Sequence, residues 1–419
     1  MMTIKKVSFF LCAIFSLLLA ACAGKAAKEA PPSFLDYVPS RPDAVKSNYP
    51  LDTVDGKTAS EYFKDEGIFS GWNLGNSLDS HNNGIGGETT WGNPPINEEL
   101  MAGVKEAGFD IIRIPVTWMG SVGPAPDYRV STTRLQRVSD AVDMAHNAGL
   151  KVIINLHHDG KTESGGRDTG WLSIGSASRN QNSYNLITAQ YVRLWQQIAA
   201  YFKNYGEWLI FEGFNELHDG SWQTCNDFRQ FITLNNWNQL FVDAVRSSGG
   251  NNGRRYLMVN AYCADNRQAL ASHFTMPTDS IEGRLILGFH YYTPHELTIQ
   301  GSLSSWGTNP ERQRVDNDFA PFKERFIEKN IPVIIGECGA VLQLFGINKG
   351  REEQARQTRA DYISHVFGTA KKYGIVPIYW DNGTISGNGE KFGLFDRRTG
   401  QPNSTDSEDL LKLMINAVK

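Results

Sequence analysis

From residue 67 onward the apolar positions follow one recurring arrangement. A run of strand length is followed by a polar or glycine-rich turn, then by apolar residues at helical spacing. Eight runs have strand character, at 68–74, 110–116, 151–156, 209–214, 256–261, 285–290, 332–336 and 375–380. Several are apolar almost throughout, as in VIINL after Lys151 and PVIIG from Pro332. That suits strands buried on both faces, and so parallel pairing. Helical spacing predicts helices over 98–107, 133–148, 187–205, 235–247, 319–329 and 356–373, with Gly108, Gly149 and Gly374 standing where three of them should stop. Eight such units predict an α/β protein with a (β/α)8 TIM barrel. An open doubly wound sheet is the alternative, but no G-x-G-x-x-G follows any of the strands.

Two of the apolar runs end on acids. In LIFEGFNEL, residues 209–217, alternation would put Ile210, Glu212, Phe214 and Glu216 on one face; PVIIGECG, residues 332–339, carries Glu337. A carboxylate aimed into a packed interior is costly unless it is hydrogen-bonded or working, and a loop acid just past the strand is the plain alternative. In a barrel of this kind the chemistry sits where strands run out into the following loops. Those positions hold Asn76, Arg113, His157, His158, Asn215, Glu216, His290, Tyr292, Glu337 and Trp380. Taken singly, the arginine reads as a surface charge, each histidine as a satisfied core residue and the tryptophan as packing. Their gathering at one end makes them a candidate site.

The set works as a single machine for glycosidic bond cleavage, which needs a pair of carboxylates. Arg113 and Tyr292 beside Glu337 would hold it ionised as a nucleophile. Glu216, beside His290, would keep its proton and act as general acid, then as base for the incoming water. Carboxyl groups about 5 to 5.5 Å apart would make the reaction a double displacement with retention. Asn215 would hold the sugar 2-hydroxyl, Trp380 would floor the subsite at the cleavage point, and His157 and His158 would bond sugar hydroxyls. The adjacent histidines also raise a metal-dependent hydrolase, but neighbours on a strand point to opposite faces and no spacing resembles a zinc site. No metal or cofactor is expected.

Composition narrows the partners. Of 419 residues, 41% are hydrophobic and 21% charged, enough for a large core; a net charge of −4 without basic stripes excludes nucleic acid. The 22 Phe, 15 Tyr and 10 Trp suit a sugar cleft as well as a core. The long connection 159–184 carries Arg167 and Trp171, and loops 218–226 and 293–306 carry Trp222 and Trp306. Together with Trp91 and Trp118, these are the candidate stacking platforms.

Lys5 and Lys6 precede the apolar run 7–21, which has the charge order of a secretory leader and is short for a membrane span. It ends in Leu19-Ala20-Ala21-Cys22, which resembles a bacterial lipoprotein cleavage box. That implies removal of residues 1–21 and lipidation of Cys22; an ordinary leader with an incidental cysteine is the alternative. Residues 22–55 then read as a tether and 56–419 as the catalytic domain of a monomer held at an outer membrane or cell surface. Of five cysteines, Cys12 leaves with the leader, Cys225 and Cys263 can pair, and Cys338 reads as a small buried residue.

Over residues 60–417 the chain resembles glycoside hydrolase family 5. The motifs that carry the resemblance are GWNLGNSLDS, ETTWGNP, GFDIIRIPVTW, KVIINLHHDG, LIFEGFNEL, GFHYYTP, PVIIGECGA and IVPIYWDNG. By that resemblance Glu216 is the acid/base and Glu337 the nucleophile, and Arg113, His157, Asn215, His290, Tyr292 and Trp380 complete the site. The opening motifs look most like subfamily 4, which implies internal cutting of β-1,4-glucans, including cellulose, mixed-linkage glucan and xyloglucan. One departure is Leu217, where the family usually has proline after the acid/base. A mannanase, xylanase or strict xyloglucanase would use the same two acids; a glycan-binding lipoprotein would need neither.

Overall fold

Eight parallel strands close on themselves, the first pairing with the last. They are β1 (Gly71–Leu74), β2 (Ile111–Ile114), β3 (Lys151–Asn155), β4 (Leu209–Glu212), β5 (Leu257–Asp265), β6 (Leu285–Tyr291), β7 (Val333–Cys338) and β8 (Ile375–Asp381). One principal helix follows each: α1 (Glu98–Glu106), α2 (Thr132–Asn147), α3 (Gln181–Tyr201), α4 (Phe228–Arg246), α5 (Asn266–Ala269), α6 (Asn309–Arg325), α7 (Glu352–Tyr373) and α8 (Thr405–Val418). The computed structural model describes residues 50–419 except 55, 163–168, 223–226, 344–345 and 387–389, and except the side chain of residue 347. The leader, the Cys22 lipidation site, Arg167 and the Cys225 half of the expected pairing lie outside the described residues.

The barrel interior is layered. Ile111, Ile153, Ile210, Met258, Ile286, Ile334 and Ile378 form an apolar plug, closed from below by Tyr62 and Phe63 of the short helix Ala59–Asp65. Above the plug the strands turn polar, and their register aligns Asn73 with Arg113 and with Trp380, Asn155 with Glu212, and His290 with Glu337. Two glycines make room there. A Cβ at Gly288 would lie 2.2 Å from Asn260 Oδ1, and one at Gly336 would lie 3.1 Å from His290 Nε2. The outward strand residues and the inner helix faces form the main hydrophobic core.

Helices α3, α4 and α6 begin well before their apolar spacing suggests. Polar caps decide this: Asn180 accepts from Ser183 N ahead of α3, and Asp227 accepts from Arg229 N ahead of α4. α6 starts at Asn309 because Thr308 and Glu311 cap each other reciprocally; the charged stretch 309–318 has little apolar periodicity to reveal it. The alternation expected along 209–217 holds for Ile210 and Glu212 and breaks at Gly213. There the carbonyl accepts from Trp195 Nε1 at 3.0 Å, and Phe214 packs outward against Tyr191. Glu216 therefore reaches the mouth from a loop and not from a strand face.

Candidate active site

Arg113 is the hub. Its fully buried guanidinium donates from Nε and Nη2 to the two oxygens of Glu212 at 2.7 and 3.0 Å, from Nη2 to Asn215 Oδ1 at 2.7 Å, and from Nη1 to Asn73 Oδ1 at 3.0 Å and Glu337 Oε1 at 2.8 Å. Burial works against this cation, but Glu212 and then Glu337 outweigh it and hold its pKa above the usual arginine value. Tyr292 donates to the other oxygen of Glu337 at 3.1 Å, and burial keeps that phenol protonated. For Glu337 itself, burial outweighs the downward pull of His290 and Arg113, Glu216 adds to the upward push, and the carboxyl stands above its ordinary value.

His290 bridges the two acids. Its Nδ1 lies 2.6 Å from Glu216 Oε1 and 3.7 Å from Glu337 Oε2. Burial lowers its pKa to about 4, so the ring is neutral at pH 7. One oxygen each of Glu216 and Glu337 lies within 4.8 Å of the other. His157 is also kept neutral by burial. Asn155 Oδ1 accepts from Val116 N, so its amide nitrogen faces His157 Nδ1 at 3.2 Å, and the ring proton falls on Nε2, 3.8 Å from Glu337 Oε1. Trp380 lies parallel to His157, with the planes 3° apart.

The expectation that His157 and His158 point to opposite faces fails. β3 ends at Asn155, so strand alternation does not govern them, and their rings meet edge to face at 4.5 Å. Asp79 joins them, with one donor atom of each residue within 4.8 Å of the others. These groups have other tasks: Asp79 accepts the Asn76 and Ser77 amides, and His157 Nδ1 accepts from Asn155. Asn76 sits in the left-handed region at φ 57° just past β1, held through its backbone. Asn93 donates to the carbonyls of Gly75, Asn76 and Asn382, tying the loop after β1 to the loop after β8.

Exposure sorts the tryptophans. Trp118 is fully buried and donates to Asn155 O; Trp306 is buried against Tyr362 and His365. Both are packing residues. Trp171 is half-buried and donates to Asp159. Trp91, 40% exposed, rests on His81 and His158, and Trp222, 53% exposed, rests on His218 at 4.1 Å. A cleft of ≈ 360 Å³ runs from Glu216 and Asn215 past His218 to Trp222, with Lys161 on its wall. Cys338 is buried, as expected, and Cys263 is buried.

The structure brings Arg113, His157, Asn215, Glu216, His290, Tyr292, Glu337 and Trp380 together and sets His158 and Asn76 at the rim. Sequence reasoning missed Asn73 and Asn260, and it set Glu212 on the inward face without giving it a part in the site. Their signal was a polar residue inside an otherwise apolar run, as in GWNL and LMVNA.

Residues 76–386 match the family model for cellulase, glycosyl hydrolase family 5. The chain belongs to glycoside hydrolase family 5. It is 38% identical over 350 residues to an endoglucanase A of Paenibacillus barcinonensis, spanning 78% of this chain and 83% of that one. Its fold superposes with a TM-score of 0.79 on a subfamily 4 broad-specificity endoglucanase from Bacteroides salanitronis, 37% identical, over 89% and 98% of the two chains. A Bacteroides ovatus family 5 xyloglucanase solved with a XXXG heptasaccharide gives a TM-score of 0.76 at 32% identity, over 88% and 79%. This family 5 chain is thus a glycoside hydrolase on a (β/α)8 barrel.

Proposed function

We propose that this family 5 enzyme is an endo-acting β-1,4-glucanase in which Glu337 is the nucleophile and Glu216 the acid/base. The observation that carries the assignment is the pair of carboxylates with oxygens within 4.8 Å of each other, one gripped by Arg113 and the other on His290. That spacing suits direct attack with retention; inverting pairs stand about 6.5 to 9.5 Å apart. Glu337 attacks the anomeric carbon while Glu216 gives its proton to the departing glycosidic oxygen. Water then enters, Glu216 takes one of its protons, and the water oxygen bonds to the anomeric carbon as the glycosyl–Glu337 ester bond breaks and Glu337 leaves as the carboxylate.

Each neighbour has a physical part in these steps. Among the described residues His290 Nε2 finds no hydrogen-bond partner, so the ring's single proton belongs on Nδ1, donated to Glu216 Oε1. With Oε1 accepting from the ring, the acid proton of Glu216 belongs on its other oxygen, Oε2. Asn215 Oδ1 is taken by Arg113, which turns the amide nitrogen away from the guanidinium, free to meet the sugar 2-hydroxyl. Trp380 offers an apolar floor parallel to His157. Trp222, along the cleft from Glu216, is placed to stack the leaving-group sugar, and Trp91 to stack a sugar on the His158 side.

The substrate class rests on the relatives: β-glucan chains, with xyloglucan among them. The sequence around Cys22 supports export and lipid anchoring. Asp52 accepts from Gly206 N and Trp208 Nε1 just ahead of β4, and Tyr256 donates to Lys57 O, so the chain joins the barrel at the end opposite the site.

Glu216→Gln and Glu337→Gln, assayed on cellulose, mixed-linkage glucan, xyloglucan, mannan and xylan with product sizing, test the reading. Each should abolish hydrolysis while the melting temperature is kept, and the parent should release internal fragments from glucans. Retained activity in either variant, or cleavage of mannan alone, would overturn it.

A further inference from the structure

Glu212 has no part in the chemistry above, yet it is fully buried and takes the Nε–Nη2 edge of Arg113. A guanidinium carries five N–H groups in a rigid planar fork. Here its five hydrogen bonds run to four partners, two to Glu212 and one each to Asn215, Asn73 and Glu337. Because the fork is rigid, seating one edge on Glu212 dictates where Nη1 points. Glu212 is itself braced: Asn260 Nδ2 donates to its Oε1 at 2.7 Å and to Phe214 O at 2.7 Å. Asn260 fits because residue 288 is glycine.

We propose that Glu212 is a positioning residue for Glu337: it seats Arg113 so that Nη1 meets the nucleophile, and by sharing the same cation it limits how far Arg113 quiets that carboxylate. The inference rests on the reading of Glu337 as nucleophile. One cation between two buried acids cannot neutralise both, and a carboxylate neutralised by a guanidinium of its own is a weaker nucleophile. The charged and titratable groups facing Glu337 are Arg113 from β2, His157 from beyond β3, Glu216 from beyond β4, His290 from β6, Tyr292 from beyond it, and Cys338 on its own strand.

The test is Glu212→Gln in the full chain, measured as the pH profile of kcat/KM and as the rate of glycosylation per site titrated with a 2-fluoro-cellobioside. The acid limb should move to lower pH, because Arg113 then serves Glu337 alone, and the per-site rate should fall about tenfold with KM little changed. An acid limb that stays or moves up, or a loss confined to the number of titratable sites, would overturn the proposal. If Glu212→Gln does not fold, Glu212→Asp keeps the charge but draws it back from Arg113. It should lower the per-site rate with the acid limb near that of the parent, and a parental rate would overturn the proposal. The label's position in the parent enzyme tests the underlying reading separately: a label away from Glu337 would defeat that reading whatever Glu212 does.

Discussion

Arg113 Nη1 lies 2.8 Å from Glu337 Oε1, a guanidinium with no exposed surface on a carboxylate with almost none. Such a pair is held by geometry as much as by charge, because each ion gave up water to enter the barrel. Arg113→Lys keeps the charge but loses the fork, leaving Glu212, Asn215 and Glu337 without their fixed donors. The expected result is a kcat reduced about a hundredfold, with a smaller effect on KM. Steady-state kinetics on a soluble β-glucan check this.

The buried histidines make stability depend on pH with a definite sign. His290 is pushed down to about 4 in the fold, below the usual value near 6.5, so folding favours the neutral ring. Its contribution is present above pH ~6.5 and is lost as pH falls toward ~4, adding at most about 1.4 kcal/mol per pH unit to the decline. Urea denaturation between those limits should show the slope, and His290→Asn should flatten it.

Asp79 and Asp159 act in the opposite direction. Burial raises both to about 6, so each favours its protonated form in the fold, a contribution present below pH ~4 and lost as pH rises through ~6. Asp159→Asn should therefore gain stability relative to the parent above pH 6 and none below pH 4, as read by paired melting curves.

The tryptophans should separate cleanly. Trp118→Ala opens a hole in a closed core and should cost about 3–5 kcal/mol. Trp222→Ala removes a half-exposed ring and should leave the melting temperature nearly unchanged while raising KM for long oligosaccharides. Thermal unfolding and kinetics on the same two variants check both.

Much of this architecture was legible because the buried parallel strands are nearly unbroken apolar runs, and a barrel confines chemistry to one end of them. The eight strand segments and both acids follow from that alone. What escaped was set by contacts at long sequence separation. Glu212 looks like one more strand residue until Arg113 of β2 is folded against it, 99 positions away. His157 and His158 were expected to diverge because the run 151–156 looks longer than the strand that forms. The start of α6 was hidden since a capping box, not apolar spacing, sets it. Trp118 and Trp306 could not be told from Trp91 and Trp222 by composition, because only burial distinguishes a packing ring from a platform.

The central claim is that Glu337 forms a covalent bond to sugar while Glu216 handles the proton. Incubating the full chain with a 2-fluoro-cellobioside and mapping the adduct by peptide mass spectrometry measures it directly. The account predicts one adduct, on the peptide that contains Glu337, formed with loss of activity. An adduct on another residue, or hydrolysis with inverted product configuration and no adduct, would contradict it.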